Sequence, residues 1–146
     1  MVSTGKDPAR KAATKLGFEP GMVVQELGWD SDVDENLRSA IIDGIDSDLI
    51  EDAVEAVDVV VLWWRADDGD LVDGLVDALT DLSSSGYIWL LTPKLGRPGF
   101  VDAADISEGA VTAGVALTTS ANVSPDWQAH KIVRPKGNRN PGGRGR

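Results

Sequence analysis

The stretch that most constrains the fold is an apolar run, an amphipathic run and a second apolar run in close succession. Asp58-Val59-Val60-Val61-Leu62-Trp63-Trp64 and Gly86-Tyr87-Ile88-Trp89-Leu90-Leu91-Thr92-Pro93-Lys94 are continuous in apolar character rather than alternating. Strands of that kind are covered on both faces of a sheet. Between them Leu71, Val72, Leu75, Val76, Leu79 and Leu82 recur at steps of one, three and four. That spacing predicts an amphipathic helix over 70–82, long enough to serve as the crossover that parallel strands require. The sequence therefore predicts an α/β fold: a small Rossmann-like layered sheet, mostly parallel, with a C-terminal antiparallel hairpin. The hairpin comes from 115–122 and 127–134, joined by Val123-Ser124-Pro125-Asp126.

Upstream, Glu19-Pro20-Gly21 marks a turn and 22–27 reads as a short strand. Gly28-Trp29-Asp30-Ser31-Asp32 is a loop with helix-capping residues, opening a helix over 33–42 with Leu37, Ala40 and Ile41 on one face. Asp46-Ser47-Asp48 offers another cap, so a second helix is expected to carry Leu49, Ile50, Val54 and Val57. Ser83-Ser84-Ser85-Gly86 reads as a turn that ends the crossover helix, and a further helix is expected over 103–113.

Charge divides the chain into three parts. The net charge is −10, yet residues 1–15 carry +3 and residues 127–146 carry +6, which leaves −19 for the body. The division read from this is a flexible basic leader (1–15) that could form a helix over 8–15, a single α/β domain (16–136) and a disordered basic Gly/Arg tail (137–146), which has no hydrophobic residue to bury. No apolar run approaches the ~20 residues of a membrane helix, and the N-terminus lacks the apolar core of a secretory signal. Cysteine is absent, which excludes disulfides, thiol catalysis and thiolate metal sites. These features predict a cytoplasmic protein with no membrane partner.

The order of elements, and the passage Ser85-Gly86-Tyr87-Ile88-Trp89-Leu90-Leu91-Thr92-Pro93 ahead of a closing hairpin, resembles the carboxyl half of Rossmann-like methyltransferases. Val23-Val24-Gln25-Glu26-Leu27-Gly28 is similar to their strand leading into the S-adenosylmethionine loop. In those enzymes a glycine-rich turn follows. Here Gly28 is followed by Trp29-Asp30-Ser31-Asp32-Val33-Asp34, with no further glycine to admit a cofactor, and no second strand ends in an acid to hold a ribose. Over about 13–136 the chain is similar to a family of small actinobacterial proteins catalogued as a domain of unknown function. The resemblance is carried by the segment 15–30, by Val61-Leu62-Trp63-Trp64-Arg65, by Trp89-Leu90-Leu91-Thr92-Pro93-Lys94 and by the hairpin. It implies a fold and a bacterial setting, and no activity.

The residues that could carry chemistry are few. His130 is the only histidine, with no second histidine or cysteine to complete a zinc site, and no Gly-x-Ser-x-Gly turn accompanies it. It reads as structural. Asp30, Asp32 and Asp34 alternate as calcium ligands do, but an EF-hand register places Glu35 and Ile41 where glycine and glutamate belong. Those acids read as helix N-terminal charge, and no metal is expected. Thr92, Lys94 and Arg97 follow a central strand at its carboxyl end, where open α/β sheets bind ligands, and are the anion-site candidates. Trp29 and Trp127, if exposed, would mark a partner surface, and Arg139, Arg144 and Arg146 would contact a partner through the tail. Trp63 and Trp64, being adjacent on a strand, face opposite sides.

The sequence thus predicts a non-enzymatic interaction or regulatory protein with no cofactor, binding a protein partner. The alternatives are a degenerate S-adenosylmethionine- or nucleotide-binding protein, and a nucleic-acid-associated protein acting through its tail.

Overall fold

The computed structural model describes residues 6–135. In chain order they form α1 (Lys6–Lys15), β1 (Val24–Leu27), α2 (Glu35–Ile45), β2 (Val57–Trp63), α3 (Leu71–Leu79), β3 (Leu82–Pro93), α4 (Ala103–Thr112), β4 (Ala116–Asn122) and β5 (Trp127–Val133). One five-stranded sheet runs in the order β1-β2-β3-β5-β4. The first three strands are parallel, and β5 is antiparallel to both β3 and β4. It follows that β4 points the same way as β1, β2 and β3.

The continuous apolar runs are explained by a core on each face. Val59, Val61, Trp63, Trp89 and Leu91 point toward α1 and α2, packing with Leu16, Leu37, Ile41 and Ile45. Val57, Val60, Leu62, Ile88 and Leu90 point toward α3 and α4, packing with Leu75, Ala78, Ile106 and Ala110. Trp63 and Trp64 do fall on opposite faces, Trp63 fully buried against α2 and Trp64 half-buried beside α3. Helices start where the sequence places a capping acid: Asp34, Asp70 and Asp102 each accept a backbone N–H of the first turn.

Three segments differ from the sequence expectation. The described part of residues 1–15 is α1, whose Ala9, Ala12 and Ala13 are buried, and the Trp89 indole N–H donates to the Leu16 carbonyl just beyond it at 3.2 Å. Residues 46–56 form no helix. Asp46 instead caps α2 in the left-handed conformation (φ 60°), its N–H bonding the Ile42 carbonyl. The chain then returns along the free edge of β1, where Ile50 bridges Gln25 through Glu26 N–H to Ile50 O (2.7 Å) and Ile50 N–H to Val24 O (3.0 Å). An open edge with unmet backbone groups outweighs the weak helical spacing of five acids among few apolar residues. Finally, 83–86 is not a turn but an extension of β3. Pairing jumps from Val57↔Leu82 to Val59↔Tyr87, so β3 carries a bulge. Arg134 closes it by donating to the Ser83 carbonyl at 2.5 Å and the Leu82 carbonyl at 3.3 Å. Residues 136–146, including Arg139, Arg144 and Arg146, lie outside the described residues. Among the described residues no helix is long and apolar enough to cross a membrane.

Candidate functional site at the carboxyl ends of β1 and β2

β1 is flanked by β2 on one side and by the single-residue Ile50 bridge on the other. The connection leaves β1 in one direction and then returns to the opposite side, which makes its carboxyl end a switch point, the place where open α/β sheets form crevices. A crevice of about 380 Å³ lies there, with Leu27, Trp29, Asp30, Trp64, Asp68 and Asp77 among its walls.

Two ion-pair clusters hold the loop that leaves β1. Gly28 (φ 78°) passes so close to β2 that a Cβ would overlap the Trp63 carbonyl oxygen. Arg65, directly after β2, reaches back under this loop. Its Nη1 donates to the Gly28 carbonyl at 2.7 Å and, more distantly, to Trp63 O at 3.4 Å. Its Nε donates to Asp32 Oδ2 at 3.0 Å, its Nη2 to Asp32 Oδ1, and its backbone N–H to Asp68 Oδ2 at 2.9 Å. The guanidinium lies over Trp127, 5.2 Å from the ring centroid. Burial opposes the charge on Arg65, but the bonds from Asp32 and Asp68 outweigh it and raise the pKa above the ordinary value. The same bond from Arg65 holds the Asp32 carboxyl below the usual carboxylate range.

The second cluster centres on Glu26, a buried carboxylate inside β1. It accepts from Arg38 Nε (2.6 Å) and Nη2 (2.7 Å) and from the Trp63 indole N–H (2.9 Å). Arg38 also donates to Glu35 Oε1 at 2.9 Å, and Glu35 Oε2 accepts the Trp29 indole N–H at 3.2 Å. Hydrogen bonding to Glu26, foremost, raises the Arg38 pKa. Bonding to Arg38, then to Trp29, lowers that of Glu35.

The sequence candidates are placed as follows. Trp29 is 51% exposed at the mouth of the crevice. Trp127 is not exposed: it is 3% accessible, edge-on to Trp63 at 4.8 Å, with its indole N–H on the Asp32 carbonyl at 3.2 Å. The ring is drawn in because Trp63, Arg65 and the 28–34 loop together give its apolar faces and its one donor a partner. Thr92 is buried, its Oγ1 3.1 Å from His130 Nε2, while the exposed Ser120 hydroxyl lies 2.8 Å from His130 Nδ1. Both ring nitrogens of His130 are thus engaged, and burial lowers its pKa. Lys94 is half-buried, and its backbone N–H bonds Asp126 O at 2.9 Å. Arg97 is exposed and paired with Asp126 Oδ1 at 2.5 Å. A smaller cavity of about 190 Å³ beside Trp127 is lined by Arg97 but by neither Thr92 nor Lys94. The structure therefore does not bring these three side chains to one cavity.

Arg65, Glu26 and Arg38 were not singled out from sequence, although a signal was there. A glutamate within an apolar strand, and an arginine ending one, are buried charges that require partners.

Comparison with known proteins bears on the fold and the family. An uncharacterised protein of Mycobacterium tuberculosis (strain ATCC 25618 / H37Rv) is 47% identical over 131 residues, covering 89% of this chain and 82% of its own length. A protein of Mycobacterium bovis matches to the same extent. Among solved structures, the mitomycin 7-O-methyltransferase MmcR superposes with a TM-score of 0.64 at 11% identity, covering 91% of this chain and 55% of its own. The chain thus spans about half of that enzyme's length. The CcbJ methyltransferase from Streptomyces caelestis gives 0.57 at 10% identity, covering 88% of this chain and 90% of its own. At such identities the likeness is one of fold, and it is the Rossmann-like methyltransferase fold. The profile of a family described as "Protein of unknown function (DUF3052)" matches residues 13–136, and the chain belongs to that family.

Proposed function

We propose that this chain is a non-enzymatic, cytoplasmic interaction protein built on a methyltransferase-like sheet. The observation that carries the reading is Arg65. Where a cofactor-binding fold leaves the turn after its first strand open to a ligand, this chain fastens that turn to β2 through the bonds of Arg65 to Asp32 and the Gly28 carbonyl. The cation at the crevice is consumed internally. The carboxylates that remain unpaired there, Asp30 and Asp77, would repel a nucleotide's phosphates or an amino acid's carboxylate. The side of β1 that would carry a ribose-binding strand holds only the Ile50 bridge. His130 is tied to two hydroxyls on β3 and β4 rather than facing the crevice.

A second reading, a degenerate S-adenosylmethionine- or nucleotide-binding protein, is favoured by one observation: a crevice of about 380 Å³ persists at the switch point. Affinity capture with the full chain from a mycobacterial lysate, with and without nuclease, tests the first reading. The expected result is a stoichiometric protein partner that survives nuclease. Capture of nucleic acid alone, or of no macromolecule together with a co-purifying nucleoside ligand, would overturn it.

A further inference from the structure

We infer that the crevice between Trp29 and Trp64 is an anchor pocket for an arginine side chain of a partner protein. This rests on the reading of the chain as an interaction protein and names the chemistry of what it binds. Three observations carry it.

The first is the aromatic surface. Trp29 is 51% exposed, yet its indole N–H is tied to Glu35 Oε2, so a large apolar ring is held in place at the mouth instead of being tucked away. On the α3 side, Trp64 lies so tightly on Gly74 that a Cβ there would come within 2.6 Å of its ring. Tryptophan is enriched among the residues that carry binding energy at interfaces, and a fixed indole beside a pocket offers a ring face to a partner.

The second is charge. Asp30 and Asp77 line the crevice, and among the described residues neither forms an ion pair. Asp68 shares Arg65, whose guanidinium is already bonded to Asp32. The pocket therefore carries unneutralised negative charge next to aromatic rings, which selects for a cation and against an anion.

The third is a pattern repeated within the chain. Trp127 and Asp32 enclose Arg65, and Glu26 accepts from both the Trp63 indole and Arg38. In each case an indole and a carboxylate are completed by an arginine. Trp29 and Trp64 with Asp30 and Asp77 stand at the crevice, where the lining arginine, Arg65, is already bonded to Asp32 and the Gly28 carbonyl, and where Arg38 reaches Trp29 only through Glu35. A guanidinium suits the place better than an ammonium, because it stacks on an indole while its fork of donors meets carboxylates.

The test uses the full-length protein and a pentapeptide, acetyl-Gly-Gly-Arg-Gly-Gly-amide. The control replaces arginine with citrulline, which keeps the shape and removes the charge. Binding is followed by the indole N–H resonances in two-dimensional NMR at about 0.15 M salt. The expected result is saturable shifts at Trp29 and Trp64, with affinity about tenfold weaker for the citrulline peptide. Trp29→Ala and, independently, the exposed Asp77→Asn should each weaken the arginine peptide by roughly fivefold or more with an unchanged thermal melt. Equal binding of the citrulline peptide, shifts confined to other residues, or no saturation below about 10 mM would overturn the proposal. S-adenosylhomocysteine, added in a parallel titration, separates the two levels of the argument. Saturable shifts with that ligand would count against the interaction-protein reading itself, whereas silence from both ligands would remove only the arginine pocket.

Discussion

Replacing Arg65 with methionine tests what fastens the turn after β1. Methionine keeps an apolar stem near Trp127 and removes every bond from the guanidinium to Asp32, Asp68 and the Gly28 carbonyl. The side chains of Asp32 and Asp68 are 53% and 34% accessible, so both carboxylates rehydrate and each loss is worth about 0.5 kcal/mol. The Gly28 carbonyl loses a charge-assisted bond at a position pressed against β2, worth roughly 1.5–2 kcal/mol. The expected total is about 2.5–3 kcal/mol. For a chain of this size that corresponds to a fall in Tm of roughly 8–10 °C. Arg65→Lys should recover less than half, because a single ammonium cannot reach Asp32 and the Gly28 carbonyl together. Urea unfolding gives the free energies, and amide exchange across residues 28–34 shows whether the loosening is local. A loss under about 1 kcal/mol, or a lysine variant as stable as the wild type, would refute the assignment of Arg65 as the fastener.

Two other substitutions probe neighbouring parts of the account. Gly28→Ala forces a side chain into the left-handed region, at about 1–2 kcal/mol, and drives its Cβ into the Trp63 carbonyl oxygen, so β1 and β2 must part. The expected loss in urea unfolding is about 3 kcal/mol, and a loss under about 1.5 kcal/mol would contradict the close approach. His130→Gln has a pH signature. Burial holds the folded pKa below the unfolded value near 6.5, so on acidification the unfolded chain takes up a proton that the native state resists. That term is absent well above pH 6.5 and destabilises the native protein as pH falls below it. The wild type's stability advantage over the variant should therefore shrink between about pH 7 and pH 5, and an advantage that grows on acidification would show that His130 is charged in the native state.

The sheet's centre was legible because burial on both faces leaves a continuous apolar run, as in residues 59–63 and 87–91, and the closing hairpin because two strand-like runs flank a clear Ser124-Pro125-Asp126 turn. α1 was missed as part of the core because its buried face is made of alanines among lysines and an arginine. Such a face contributes little to any hydrophobic pattern and becomes visible only when α2 packs on it. The segment after α2 was misread because Asp46 is equally suited to end one helix or begin another. The choice is made by the unpaired edge of β1, which lies some twenty residues upstream. Ser83-Ser84-Ser85-Gly86 has the composition of a turn but is held extended by Arg134, a long-range partner. At the site, the sequence placed its anion candidates after β3, at Thr92, Lys94 and Arg97, whereas the crevice lies where β1 and β2 end. Its position and character were hidden because Arg65, Asp32 and Trp127 come together only when β2, the 28–34 loop and β5 are assembled.

The central claim is that the switch point, fastened by Arg65 and ringed by carboxylates, does not receive the ligand that folds of this shape are built to hold. Isothermal titration of the full-length protein with S-adenosylmethionine, at about 0.15 M salt and to about 0.5 mM ligand, tests it most directly. The account predicts no saturable heat. A one-site isotherm with a Kd below about 100 µM, abolished by a substitution in the crevice such as Asp30→Lys, would contradict it.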